Sequence, residues 1–182
     1  MPLIKLNAQS ASALDATKLT GNLPAINGGS LTGISAGIQV ADNWRLNTNI
    51  TADTNPITNY ERVDSASQGT IGTAMNFSAG SFTFPQTGIW FVSSSCVVKE
   101  GSSTDNLLQY SMQVGGSDIM QIYQETAMTD GFTTGYNSTL LDITDTSTAL
   151  QFRFVNVTAG AILRGDTNSN ETNVTFIRLG DT

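Results

Sequence analysis

Residues 82–92 read Phe-Thr-Phe-Pro-Gln-Thr-Gly-Ile-Trp-Phe-Val. Two apolar runs, 82–84 and 89–92, flank a Pro and a Gly, which supply the fixed and the permissive φ of a tight connection. The pattern predicts a strand, a turn and a second strand. Because successive strand side chains alternate faces, Trp90 and Phe91 point to opposite sides. An apolar strand on both faces is expected in the middle of a sandwich, or with one face covered by a second copy.

Short apolar runs separated by turn residues continue along the rest of the chain. The predicted strands cover residues 44–50, 57–63, 70–77, 82–84, 89–98, 107–114, 119–123, 131–141, 150–157, 161–164 and 174–179. Gly115-Gly116 predicts a two-residue hairpin, because paired glycines reach positive φ easily. Many short strands at a spacing of roughly ten residues, with almost no helix, are typical of a β-sandwich or jelly roll.

The first 37 residues differ from the rest because they contain no aromatic side chain. Such a segment cannot build its own core. Leu-Thr-Gly at 19–21 recurs at 31–33, with a turn signal between them. The sequence therefore predicts an anchor or stalk over 1–37 and a head domain over 38–182. A disordered leader and a helical turn over 10–14 remain open as alternatives. The candidate anchor residues are Leu19, Leu23, Ile26, Leu31 and Ile34.

Composition excludes several classes of partner. The net charge of −7, with only 8 Lys and Arg, argues against nucleic acid, because phosphate binding needs a basic patch. No run approaches the roughly 20 apolar residues of a membrane helix, so no membrane insertion is expected. The start of the chain does not resemble a signal peptide, which favours synthesis and retention in the cytoplasm. The single cysteine, Cys96, excludes an intrachain disulfide and is expected to be buried.

The residue types needed for most catalysis are missing. The chain has no histidine, so no Ser-His-Asp or Cys-His arrangement can form, and one cysteine cannot complete a structural zinc site. Carboxylate pairs such as Glu61 with Asp64 and Asp142 with Asp145 are typical of solvated turns rather than of a glycosidase. We therefore predict no enzymatic activity, no catalytic residues, no metal and no cofactor.

One loop keeps a weak calcium site open. Asp166-Thr-Asn-Ser-Asn begins like a calcium-binding loop, with oxygen ligands at alternate positions. Glu171 stands where the sharp turn of that loop needs glycine, and Ile177 stands where a bidentate glutamate belongs. The segment 166–172 is therefore expected to be a hydrated hairpin tip.

Two sets of motifs carry a resemblance to known proteins. The pattern Gly80, Phe82, Phe84-Pro85 and Gly88-Ile89-Trp90 resembles the signature of C1q/TNF-like jelly rolls. Segments 42–46, 55–57 and 60–64 resemble a module of structural proteins from tailed, often marine, bacteriophages, and the similarity covers roughly residues 38–182. Residues 15–34 resemble segments of phage fibres. The resemblance implies a C1q/TNF-like jelly roll, a homotrimer and a place in the virion.

The trimer should bury the apolar side chains that one sandwich leaves over. The candidates for the trimer core or interface are Trp90, Phe91, Ile119, Met120 and Ile122. We expect a capsid decoration protein or head fibre that binds the major capsid protein or another virion protein through residues 1–37. The alternative is a small tail-fibre or receptor-binding protein that recognises host-surface carbohydrate through loops carrying Tyr60, Tyr136 or the Asn-rich tip at 168–173.

Overall fold

A computed structural model describes residues 37–64, 67–103, 105–126 and 131–182, apart from the side chains of 105, 106 and 126. The predicted helical turn and the predicted anchor residues lie outside the described residues and stay predictions. These anchor residues are Leu19, Leu23, Ile26, Leu31 and Ile34.

Eleven strands and no helix make up the regular structure of the described residues. The strands are β1 Val40–Leu46, β2 Tyr60–Arg62, β3 Asn76–Ser78, β4 Ser81–Thr83, β5 Gly88–Lys99, β6 Asp105–Val114, β7 Ser117–Thr126, β8 Phe132–Ile143, β9 Ala149–Val155, β10 Ile162–Leu163 and β11 Asn173–Gly180. The predicted strand at 70–77 is reduced to β3 and an isolated bridge between Ala41 and Ile71. The Gly115-Gly116 hairpin joins β6 to β7 as predicted, with φ of 58° and 81°.

The strands form two antiparallel sheets that enclose one core. The first sheet has the order β8-β5-β11-β1-β2, and the short β10 pairs with the end of β5 beyond β11. The second sheet has the order β3-β4-β9-β6-β7. Burial alternates residue by residue along β5, as expected for a strand with one face inside a sandwich. The predicted all-β jelly-roll sandwich is confirmed.

Aromatic rings fill the space between the sheets. Phe82 of β4 lies 5.4 Å from Trp44 in an edge-on arrangement and 5.1 Å from Phe176. Phe152 stacks on Tyr110 with ring centroids 5.4 Å apart. Such pairs add roughly 0.5–1.5 kcal/mol to what area burial contributes. These side chains come from both sheets, so the aromatic core holds the two layers together.

The stretch at 82–92 forms the predicted strand, turn and second strand, but the two strands do not pair with each other as a hairpin. Phe82 pairs with Leu150 in the second sheet, whereas Ile89 pairs with Asp142 in the first. The connection through Pro85 and Gly88 therefore crosses from one sheet to the other. The physical reason is the core: the rings of Phe84 and Trp90 meet 5.0 Å apart. The crossing brings aromatic side chains from both layers into contact across the core.

Candidate interaction surfaces

An apolar row runs across the outer face of the first sheet. The antiparallel registers place Leu140 of β8 beside Phe91, Phe91 beside Ile177, and Ile177 beside Ala41. Ala41 in turn bridges to Ile71, which is 49% exposed. The row therefore crosses four strands and ends on a surface loop. Directly opposite side chains of this kind support one another along a sheet.

Strand β8 continues this apolar surface along the edge of the first sheet. Phe132, Tyr136 and Leu140 lie at every fourth position, which places them on one face, and they are 60–64% exposed. We call these three residues and the row of Phe91, Ile177, Ala41 and Ile71 the first-sheet apolar patch. The patch has two arms, one along β8 and one across the sheet, which meet at Leu140. Thr134 and Ser138 lie between the three β8 residues on the same face, so the patch is a group of exposed apolar side chains and not one unbroken apolar surface. Exposed apolar side chains grouped in this way mark candidate interaction sites.

A polar row lies on the same face, separated from the apolar row by a row that includes Ser93 and Thr175. Its members pair across the sheet in the order Tyr136, Ser95, Asn173, Arg45 and Glu61. Asn173 Nδ2 donates a hydrogen bond of 2.8 Å to Ser95 Oγ. The polar groups of this row are therefore largely satisfied within the chain.

Arg45 is the most buried member of that row, with a side chain only 2% exposed. Its Nε lies 2.8 Å from Glu61 Oε1, and its Nη2 lies 2.8 Å from Asp64 Oδ1. Burial opposes the charge of Arg45, but the hydrogen bonds and charges of Glu61 and Asp64 outweigh it and raise the pKa. Both carboxylates bind a guanidinium, so this pair has a structural role rather than that of a glycosidase acid and base.

Asp42 joins the two sequence motifs at 42–46 and 60–64. Its side chain is completely buried, and it accepts hydrogen bonds from Trp44 Nε1 and from the Met75 backbone N–H, each at 2.9 Å. The Thr70 hydroxyl donates a third at 3.2 Å. Arg62 pairs with the same carboxylate at 3.3 Å and lies 4.6 Å from the centre of the Trp44 ring. This cluster was not predicted from the sequence, because its members are up to 33 positions apart.

The predicted interface residues fall into two groups. Trp90, Met120 and Ile122 are 0%, 3% and 7% exposed and belong to the core of the single chain. Their side chains pack in the core between the two sheets and offer no surface to a partner. Phe91 and Ile119 point outward, but from different sheets. Only Phe91 therefore lies in the first-sheet apolar patch.

Five large residues of the patch were not predicted as interface residues from the sequence. They are Ile71, Ile177, Phe132, Tyr136 and Leu140. The spacing of the three β8 residues, at every fourth position of a predicted strand, was the available signal. Ile177 gave no such signal, because its exposure follows from the position of β11 inside the sheet.

Neither of the tyrosines expected to contact carbohydrate, Tyr60 and Tyr136, lies on an exposed loop. Tyr60 is 5% exposed and sits in the core, so it cannot bind a surface ligand. Its hydroxyl hydrogen-bonds to that of Tyr110, which hydrogen-bonds to Ser94 Oγ at 2.9 Å. Ser94 donates to the carbonyl oxygen of Asn173, which can only accept, so the chain of donors runs from Tyr60 through Tyr110 to Ser94. Burial raises the pKa of both tyrosines. Tyr136 is exposed, but it lies within β8 and not in a loop.

The carboxylates of the loop at 166–172 bind other groups of the same chain. Asp166 Oδ1 accepts hydrogen bonds from the backbone N–H groups of Asn168 and Ser169, and the bond from Asn168 is the main cause of the lowered pKa of Asp166. Glu171 pairs with Arg164 at 3.1 Å. In the described part of the chain, no group of three or more His, Cys, Asp or Glu side chains is placed to hold a metal ion. A search of the same residues finds no helix long and apolar enough to cross a membrane.

The outer face of the second sheet carries a polar cluster around Asp118. Oδ1 accepts from Ser111 Oγ, and Oδ2 accepts from Gln109 Nε2 and Gln121 Nε2, each at 3.0 Å. Arg153 pairs with the same carboxylate and donates to Ser111 Oγ at 2.9 Å. Partial burial opposes ionisation of Asp118, but the hydrogen bonds from Gln121, Ser111 and Arg153 outweigh it and lower the pKa. We call these five residues the Asp118 cluster.

Cys96 lies in the core and is not a reactive group. Its side chain has no exposed surface, and its Sγ donates weakly to Gln124 Oε1 at 3.7 Å. Burial raises the pKa of the Cys96 thiol to about 12. The thiol is therefore protonated near neutral pH, which confirms the prediction of a buried apolar cysteine.

Comparison with known proteins shows the fold. No protein-family model matches the sequence, and no curated protein does. Among solved structures, Eiger TNF from S. frugiperda aligns with a TM-score of 0.60 at 14% identity, over 80% of this chain and 96% of that chain. Murine APRIL aligns with a TM-score of 0.55 at 12% identity, over 77% of this chain and 98% of that chain. The vertex protein P5 of PRD1 aligns with a TM-score of 0.50 at 17% identity, over 79% of this chain and 99% of that chain.

The strand orders of the two sheets, together with these alignments, define the class of the protein: it has a TNF-like jelly roll. At such low identities the likeness is one of fold.

Proposed function

We propose that this chain is a non-enzymatic structural protein of a bacteriophage virion that assembles as a homotrimer through the first-sheet apolar patch. The observation that carries the proposal is the exposure of Phe132, Tyr136 and Leu140 on one strand, together with the row through Phe91 and Ile177. Monomeric proteins rarely expose large apolar patches, so a second copy of the chain is the expected cover.

The two arms of the patch favour a ring over a two-fold dimer. The β8 arm lies at one edge of the sheet, and the arm ending at Ile71 reaches the opposite side. When the β8 arm of one copy packs on the other arm of the next, the contact is head-to-tail, and such contacts close into rings. The resemblance of the sequence to C1q/TNF-like jelly rolls favours three copies in the ring.

A place in the virion is supported by two likenesses. The motifs at 42–46 and 60–64 resemble phage structural proteins, and the fold resembles that of the PRD1 vertex protein P5. We propose that residues 1–37 anchor the trimer to the major capsid protein or another virion protein, and that the head over 38–182 projects outward. Decoration of the capsid, or a head fibre, is the preferred location.

The assembly is tested by a charge placed in the patch. Leu140→Asp puts a carboxylate at the meeting point of the two arms and should convert a species of about 58 kDa, three times the 19.3 kDa chain, into monomers in sedimentation velocity. Leu107→Asp is the matched control, because Leu107 is 67% exposed on the second sheet and Leu140 is 60% exposed. A monomeric wild-type chain at high concentration would contradict the proposal, as would equal effects of the two variants.

The location is tested on intact particles. An antibody against the head should label capsids in electron micrographs, and deletion of residues 1–37 should abolish binding to empty capsids while the trimer persists. Labelling of tail tips alone would favour the tail-fibre or receptor-binding alternative. Labelling of neither structure would contradict both virion locations.

A further inference from the structure

The outer face of the second sheet differs in chemistry from the first-sheet apolar patch. Gln109, Ser111 and Gln113 alternate along β6 with core residues, so they point away from the core, yet they are only 0–7% exposed. Hydrogen bonds from Gln109 and Ser111 to Asp118, and from Arg153 to Ser111, tie this layer together. This face is therefore a close-packed layer of amides, hydroxyls and one ion pair, and not a loosely hydrated surface.

The Asp118 cluster fixes the orientation of that layer. The register places Ser111 between Gln121 on β7 and Arg153 on β9. Both Gln109 and Gln121 donate their Nε2 groups to Asp118. Each amide keeps its Oε1 oxygen as an acceptor. The donor and acceptor directions on this face are thus set before any ligand arrives, which lowers the entropy cost of binding.

An exposed tyrosine borders the cluster. Tyr123 of β7 pairs directly with Gln109 and shares its face with Gln121, two positions away, and its side chain is 56% exposed. An aromatic ring beside fixed planar polar groups suits a ligand with both a C–H face and hydroxyl groups. The charges of Asp118 and Arg153 compensate each other, and Glu125, exposed on the same face two positions beyond Tyr123, adds a negative charge. The surface therefore disfavours an anionic ligand, and its stacking and hydrogen-bonding groups suit an uncharged one.

We propose that this face, centred on Tyr123, Gln121 and the Asp118 cluster, binds a neutral polysaccharide. The sugar ring stacks on Tyr123, and its hydroxyls bond to the exposed Gln121 Oε1 and to Arg153. The site is separate from the first-sheet apolar patch, because its side chains leave the opposite sheet. It does not depend on whether the virion location is the capsid or the tail.

The test is affinity electrophoresis of the full chain in gels containing dextran, mannan or laminarin, with the polyanion alginate as a separate arm. Mobility in at least one neutral polysaccharide should fall, and alginate should cause no specific retardation. Tyr123→Ala should weaken the retardation on the order of tenfold, the loss of one aromatic stacking contact with its buried area. Gln121→Ala should weaken it less.

Thr83→Ala is the control variant, because Thr83 lies on the same face of the same sheet at its other side. It should bind as the wild type does. Leu140→Asp keeps the second-sheet face, so it should still bind, with the weaker avidity of a monomer if the trimer exists. No retardation by the three neutral polysaccharides, retardation by alginate alone, or retardation unchanged in both Tyr123→Ala and Gln121→Ala would overturn the proposal. Sedimentation of Tyr123→Ala and Gln121→Ala should still show the oligomer of the wild type. A failure of polysaccharide binding can therefore be told apart from a failure of the proposed trimer.

Discussion

Asp42 and Asp118 are two carboxylates with similar partners and different surroundings. Each accepts several hydrogen bonds and pairs with an arginine. The Asp42 side chain is fully buried, and Arg62 covers it by lying over the Trp44 ring. The Asp118 side chain keeps 15% of its surface exposed on the outer face of the second sheet. The difference indicates that the same hydrogen-bonding chemistry serves as internal support in one place and as an ordered surface in the other.

The matched substitutions Asp42→Asn and Asp118→Asn test this comparison most strongly. Asp42→Asn removes the negative charge and turns an amide N–H₂ toward buried donors such as Trp44 Nε1 or the Met75 N–H, so the free energy of unfolding should fall by about 2–3 kcal/mol, the cost of unpaired buried donors. Asp118→Asn should cost about 1 kcal/mol, because partly exposed groups regain water. Urea unfolding at one fixed protein concentration measures both. Equal losses would show that the number of donors, and not burial, sets the cost.

The buried hydrogen-bonded hydroxyls of Tyr60, Tyr110 and Ser94 test the cost of unpaired buried groups with smaller expected effects. Tyr110→Phe removes the middle hydroxyl and leaves the Tyr60 hydroxyl without its acceptor and Ser94 without its donor. It should lower the free energy of unfolding by about 1–3 kcal/mol, the cost of unpaired buried groups. Tyr60→Phe removes only the first donor and should cost about 1 kcal/mol or less. The same urea series measures both, and a larger loss for Tyr60→Phe would contradict the assigned direction of the chain.

The smallest effect is expected in the pH dependence at Asp118. The pKa of Asp118 is lowered from 3.8 in the folded chain, so its contribution is present above the unfolded pKa and is lost as the pH falls through the folded pKa. Unfolding measured from pH 5 downward should therefore lose less stability in Asp118→Asn than in the wild type. Asp145 and Asp166 also have lowered pKa values, and they act equally in both proteins. Parallel curves would show that Asp118 does not ionise more easily in the folded state.

Much of the fold follows from local patterns. Alternation at 89–98 correctly put Trp90 and Cys96 on one face and Phe91 on the other, although Trp90 was predicted for the trimer interface and lies in the core. The hairpin at Gly115-Gly116 followed from backbone freedom alone. The candidate site was predicted less well. Ile119 and Phe91 both point outward, but the sequence could not show that they leave opposite sheets. Met120 and Ile122 follow the same alternation, and their burial depends on the sheet that faces them.

By itself the sequence determined the number and approximate position of the strands, the residues that point inward, and the absence of histidine, a basic patch and paired cysteines. These properties depend on side-chain type and on a period of two residues, and both are local. Tertiary structure alone decided that 82–84 and 89–92 belong to different sheets, that Asp42 meets Arg62, and that Leu140, Phe91 and Ile177 form one row. Strand pairing decides such contacts, and it depends on the packing of side chains far apart in the chain.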